Sequence, residues 1–95
     1  MTKYQEEYFK AHGEDESSFR QINEAMRRTK YTLITPYTSK KIKKDEAMRI
    51  LGEDLYLSGI QRSAFHGTAT RKVMGQPFQM VSFDSWALWR SNKEE

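Results

Sequence analysis

The chain has 95 residues, enough for one domain with a modest core. It has no cysteine, which excludes disulfides, thiolate zinc sites and cysteine nucleophiles; its 13% aromatic content argues against a disordered chain. The net charge of +3 is concentrated: residues 27–49 hold eight basic side chains (Arg27, Arg28, Lys30, Lys40, Lys41, Lys43, Lys44 and Arg49) against Asp45 and Glu46, while residues 1–26 are net negative and residues 50–95 are balanced. Such a cluster suits an anionic partner, and the plain alternative is a solvated lysine-rich loop that serves solubility. The opening residues show no apolar stretch resembling a signal peptide and no run approaches a membrane span, so a cytoplasmic protein with no membrane association is expected.

In chain order, Tyr4, Tyr8 and Ala11 stand at helical spacing and predict a short helix over 3–11, closed by Gly13. The acidic run Glu14-Asp15-Glu16 leads into a helix predicted over 17–29, with Ser18 and Gln21 at capping-box spacing. Phe19, Ile22, Met26 and Thr29 share one face of that helix. Tyr31–Thr35 is rich in β-branched and aromatic residues and is stopped by Pro36, which predicts a short edge strand. Residues 38–44 read as a polar, basic loop. Ile42 and Ala47 then have the spacing of a hydrophobic staple, although Lys43 is a poor helix cap. Ala47, Ile50 and Leu51 form a stripe ended by Gly52, and Asp54 is placed to cap the next helix.

That helix is predicted over 53–66, with Leu57, Ile60 and Ala64 inward, Arg62 outward and Gly67 at its end. Its internal Gly59 points to helix curvature or close packing. Residues 68–74 and 78–83 read as a hairpin turned by Gly75-Gln76-Pro77, with Val73 and Phe78 paired near the tip. Alternation puts Phe78 and Met80 on one face of the second strand and Val81 and Phe83 on the other. Trp86, Leu88 and Trp89 add large apolar groups, in a stretch (84–90) that fits a last helical turn or a continuing strand.

The segment Glu46-Ala47-Met48-Arg49-Ile50-Leu51-Gly52 resembles the first helix and turn of helix-turn-helix proteins. With the element order, it implies an α+β fold: a small winged helix-turn-helix-like domain of three or four helices, a C-terminal β-hairpin and a short extra strand. One domain over 1–95 is expected, comprising an N-terminal helix and acidic linker (1–16), helices and hairpin (17–90) and a frayed tail (91–95).

In such a domain Lys40, Lys41, Lys43 and Lys44 flank the first helix of the pair, where phosphate contact is natural. Ser58, Gln61, Arg62 and His66 share a face of the second helix, and Arg71 and Lys72 precede the hairpin tip as wing residues do. Glu53 and Asp54, where a recognition helix enters the groove, repel phosphate and argue against base readout. Ser63 and His66 stand three apart but have no orienting third group; the adjacent pairs Glu6/Glu7 and Glu53/Asp54 point in different directions along their helices. No catalytic residue, metal site or cofactor is therefore assigned, and no enzyme is expected. The expectation is a small nucleic-acid-binding regulatory module, of the kind a phage or mobile element encodes. The alternative is a protein-interaction module, an inhibitor or adaptor that meets an acidic partner or a second copy of itself through an apolar C-terminal hairpin.

Overall fold

The computed structural model describes residues 1–86. Its elements are α1 (Lys3–Ala11), α2 (Glu16–Arg28), β1 (Lys30–Ile34), β2 (Ser39–Ile42), α3 (Lys44–Leu51), α4 (Glu53–His66), β3 (Thr68–Lys72) and β4 (Met80–Asp84). The strands form one antiparallel sheet in the order β2-β1-β4-β3. The described residues thus form a compact α+β domain of four helices and a four-stranded sheet. Its shortest extent, 18 Å, is the thickness of one helix layer on one sheet.

Strand register decides which side chains meet the helices. One face carries the row Ile42–Tyr31–Phe83–Ala69, all buried, followed by Lys40–Leu33–Val81–Arg71. Phe19, Ile22, Ala25 and Met26 of α2, Ala47 and Leu51 of α3, and Leu57, Ile60 and Ala64 of α4 complete the core on that side. Tyr56 of α4 reaches the sheet, packing on Phe83 at 5.9 Å between ring centroids and hydrogen-bonding the Tyr31 hydroxyl at 2.8 Å. Gly59 is a close-packing position: a Cβ there would lie 2.4 Å from the Phe83 ring. A second buried network joins Thr29, Ser85 and Ser63, whose hydroxyl also donates to the Ile60 carbonyl. No buried side-chain polar atom among the described residues lacks a partner.

Several expectations need correction. The basic segment read as a loop contains β2, paired with β1 from Tyr31↔Ile42 to Ile34↔Ser39. β1 therefore lies inside the sheet between β2 and β4, and Pro36 sits in the hairpin turn, where the Thr35 hydroxyl accepts from the Tyr37 and Thr38 amides. α2 is capped by Asp15, whose carboxylate accepts from the Ser18 amide, and not by Ser18 with Gln21; the Gln21 amide instead reaches the Ala64 carbonyl. α4 starts from Gly52, and Asp54 receives the Tyr4 hydroxyl instead of capping. α1 buries Gln5 and Phe9, leaving Tyr4 and Ala11 exposed and Tyr8 half-buried. The hairpin ladder ends at Lys72↔Met80, the Val73 amide donates to the Gln79 carbonyl, and Phe78 stands in the loop unpaired with Val73. β4 is apolar on one face only: Val81 and Phe83 are buried, while Met80 and Ser82 are half-buried on the other. The expectations for Leu88, Trp89 and the tail over 91–95 lie outside the described residues.

Ile60→Ala should cost about 2–5 kcal/mol in a denaturant titration and Arg62→Ala almost nothing, since Ile60 is fully buried and Arg62 exposed. Equal costs would misplace the inner face of α4. Gly59→Ala should destabilise by about 1 kcal/mol or more, because the clash with Phe83 outweighs the ordinary helix preference for alanine; a rise in melting temperature would contradict this packing. Burial pushes the Tyr31 hydroxyl up to about 12, partly opposed by its bond to Tyr56, and burial pushes Tyr56 up in the same direction. The folded state then keeps protons that the unfolded chain releases above about pH 10. Stability should be full below that pH and fall as pH rises through about 12. The loss should approach about 1.4 kcal/mol per pH unit per tyrosine and be milder in Tyr31→Phe. A denaturation midpoint unchanged across that range would refute it.

Candidate anion-binding groove

Two chain junctions meet at one end of the sheet: α2 runs into β1 through Thr29, and β2 runs into α3 through Lys43. The groove they form, about 890 Å³, is lined by Arg27, Lys30, Lys41, Lys43 and Lys44, with Asp84 the one acidic lining group. Helix, strand and cap geometry place these cations. Arg27 stands in the last turn of α2, where a cation complements the helix dipole. Lys30 and Lys41 project from the sheet face opposite the helices, because they alternate with buried Tyr31 and Ile42. Lys43 is the N-cap of α3, and its side chain makes no capping hydrogen bond. The first-turn amides of α3 thus have no side-chain acceptor from the cap, at the rim of a cationic groove.

Arg27 and Arg28 share Glu24, at 2.9 and 4.0 Å. Among the described residues, no carboxylate comes within ion-pair distance of Lys30, Lys41, Lys43 or Lys44. The groove therefore holds four lysines with no ion-pair partner among the described residues, with Asp84 in its lining and Asp45 and Glu46 beside Lys41 and Lys43 on the α3 side.

Nine of the ten candidate residues fall into two groups, and Lys72 stands apart. Lys41, Lys43 and Lys44 line this groove, and Lys40 stands beside them on β2 but on the helix-facing side. Ser58, Gln61, Arg62, His66 and Arg71 come together elsewhere, around a pocket of about 470 Å³ completed by Tyr8, His12 and Glu14 of the N-terminal segment. β2 and β3 are opposite edges of the sheet, three strand spacings or about 14 Å apart. Lys72 is exposed on the β3 edge. In the second pocket Arg71 is already engaged: it donates to the Ser58 hydroxyl at 2.6 Å, to the Ser58 carbonyl at 3.2 Å and to the Thr70 carbonyl at 2.8 Å. Burial and the neighbouring Arg62 pull the Arg71 guanidinium below its ordinary value. Gln61 donates to Glu14 at 2.8 Å, so α4's outer face is partly occupied by the segment before it. Ser63 is fully buried in the hydroxyl network and His66 is exposed, so the helical spacing of the two does not produce a pair.

Sequence reading missed Arg27 and Lys30 as members of the groove, because their convergence with Lys41 depends on the β1–β2 pairing. It placed Phe78 near a hairpin tip but paired with Val73, and it did not single out Tyr37. The turn over 35–38 and the loop over 73–79 leave the same end of the sheet, away from the groove. Tyr37 is 95% exposed there, Phe78 79% and Met74 76%. Phe78 has φ +69°, a left-handed backbone that costs a bulky residue about 1–3 kcal/mol.

Among the described residues no helix is long and apolar enough to cross a membrane, and no group of three or more histidines or carboxylates is placed to hold a metal ion. The chain matches no protein-family model, no curated protein and no solved structure.

Proposed function

We propose that the protein is a small nucleic-acid-binding module that holds phosphates in the groove between the α2–β1 and β2–α3 junctions. The observation that carries this reading is the convergence there of Lys30, Lys41, Lys43 and Lys44 without described carboxylate partners. Four lysines against the single Asp84 leave the groove with an excess of positive charge. A polyanion offsets that excess and gains entropy by releasing its own condensed counterions.

We read the fold within this proposal as a winged helix-turn-helix with additions. α2, β1, α3, α4 and the β3–β4 hairpin follow the order of a winged helix-turn-helix, and β1 lies beside β4 as the first strand of such a domain does beside the last. α1 and β2 are additions to that plan. β2 is the more consequential, since it carries Lys41 and leads into Lys43 and Lys44.

Binding to oligonucleotides should weaken linearly in log–log form as salt rises. The triple variant Lys41→Glu, Lys43→Glu, Lys44→Glu should flatten that slope by about 2–3 and lose binding at moderate salt. Lys3→Glu, on α1, should bind like the parent. Fluorescence anisotropy with labelled oligonucleotides measures both. An absence of binding to any oligonucleotide at low ionic strength, or a triple variant that binds as the parent does, would remove the proposal.

A further inference from the structure

Among the described residues, no helix covers the face of the sheet turned away from α2, α3 and α4. That face carries Lys41–Thr32–Ser82–Thr70 as one cross-strand row and Ser39–Ile34–Met80–Lys72 as the next, and none of these residues is buried. At one end of this face lies the lysine groove; at the other stand the two hairpin tips, with Tyr37 and Phe78 almost fully in solvent. The tips belong to neighbouring strand pairs, so their centres are separated by two strand spacings, about 10 Å.

From this arrangement we infer that the nucleic acid is single-stranded and lies across this sheet face, its phosphates in the lysine groove and its bases stacked on Tyr37 and Phe78. The inference rests on the nucleic-acid reading of the groove and narrows it to one substrate class. Three features favour a single strand over a duplex. The helix that a helix-turn-helix reader would place in the major groove is unsuited to it here, because the first turn of α4 carries Glu53 and Asp54 and α1 lies against it through the Tyr4–Asp54 hydrogen bond. An antiparallel sheet face without helices is instead a platform for unstacked bases, which expose faces that aromatic side chains can cover. The hydroxyls of Thr32, Ser82 and Thr70 supply donors and acceptors along the path, and Lys41 and Lys72 bracket it with positive charge.

The conformation of Phe78 fits this use. Its left-handed backbone is unfavourable and its ring buries little, so the folded chain gains nothing evident from phenylalanine at that place. A base stacked on the ring supplies the missing contact.

The test compares a labelled 15-nucleotide mixed-sequence single strand with the blunt duplex of the same sequence, using the full chain at low salt. The single strand should bind at least tenfold more tightly. Tyr37→Ala and Phe78→Ala should each weaken it about 5- to 100-fold with little effect on the duplex, as loss of one stacked base does. Phe78→Gly separates binding from folding, since glycine relieves the left-handed backbone. It should melt no lower than the parent yet bind as poorly as Phe78→Ala, while Phe78→Trp should restore binding. Duplex binding equal to or tighter than single-strand binding, or indifference to Tyr37 and Phe78, overturns the inference and leaves the phosphate groove standing. No binding to either oligonucleotide overturns both. Capture by anionic phosphatidylserine vesicles through Tyr37 and Phe78, with no oligonucleotide bound, overturns both in favour of a lipid surface.

Discussion

Phe83 meets α4 at the one position where that helix has no side chain. The ring fills the space above Gly59, packs edge-on against Tyr31 and lies against Tyr56, whose hydroxyl in turn bonds Tyr31. This contact sets the distance between helix layer and sheet and fixes the register of the central strands, because Phe83 and Tyr31 are directly opposed. A shift of β4 by one residue would turn Ser82 inward and Phe83 into water. With the central pair fixed, β3 follows β4 and β2 follows β1, so one aromatic contact places every strand.

That placement sends the chain's charge to the outside in a definite pattern. Helices short enough for this chain cover one sheet face only, and the alternate residues of each strand must then be soluble. Those residues are Thr32, Lys41, Thr70 and Ser82, with Lys30 and Lys72 near the strand ends. The face left without helices is thus mainly polar, carrying Lys30, Lys41 and Lys72 beside Asp84 and the half-buried Ile34 and Met80. Its end-groups differ for a reason of topology: both hairpin turns leave from one end, and the α2–β1, β2–α3 and α4–β3 junctions lie at the other. The proposed division into a phosphate end and an aromatic end follows from connectivity.

The helices were legible in the sequence because their apolar spacing was strong. For α4 the inward face of Leu57, Ile60 and Ala64, and the outward Arg62, were readable from a 100° repeat alone. α1 was readable as a helix but not by face, since Tyr4, Tyr8 and Phe9 offer two competing stripes and only packing selects Phe9. β2 was hidden because an edge strand needs one inward anchor, here Ile42, and its remaining residues Ser39, Lys40 and Lys41 have the composition of a loop. With β2 unread, the basic cluster had no fixed geometry, and Arg27 and Lys30 could not be joined to Lys41. The hairpin tip was misread for a different reason: a phenylalanine in the left-handed region violates the local preference on which sequence reading depends.

Two ordinary roles for lysine can be weighed against the proposed one. Lysines on edge strands deter unwanted strand pairing, which accounts for Lys40 and Lys41 on β2 and Lys72 on β3. It does not account for Lys30, which lies on an interior strand, nor for Lys43 and Lys44, which begin a helix. Solubility likewise asks for charge of either sign, dispersed, and is best served where lysines stay apart. Here the cations on α2, β1, β2 and the start of α3 converge on one groove, fixed there by ladder pairing and helix geometry. Like charges about 4 Å apart repel by about 1 kcal/mol in water, and the repulsion falls as they separate. A fold that gathers cations with few acidic neighbours retains a local cost, which is the physical reason the proposed ligand is an anion.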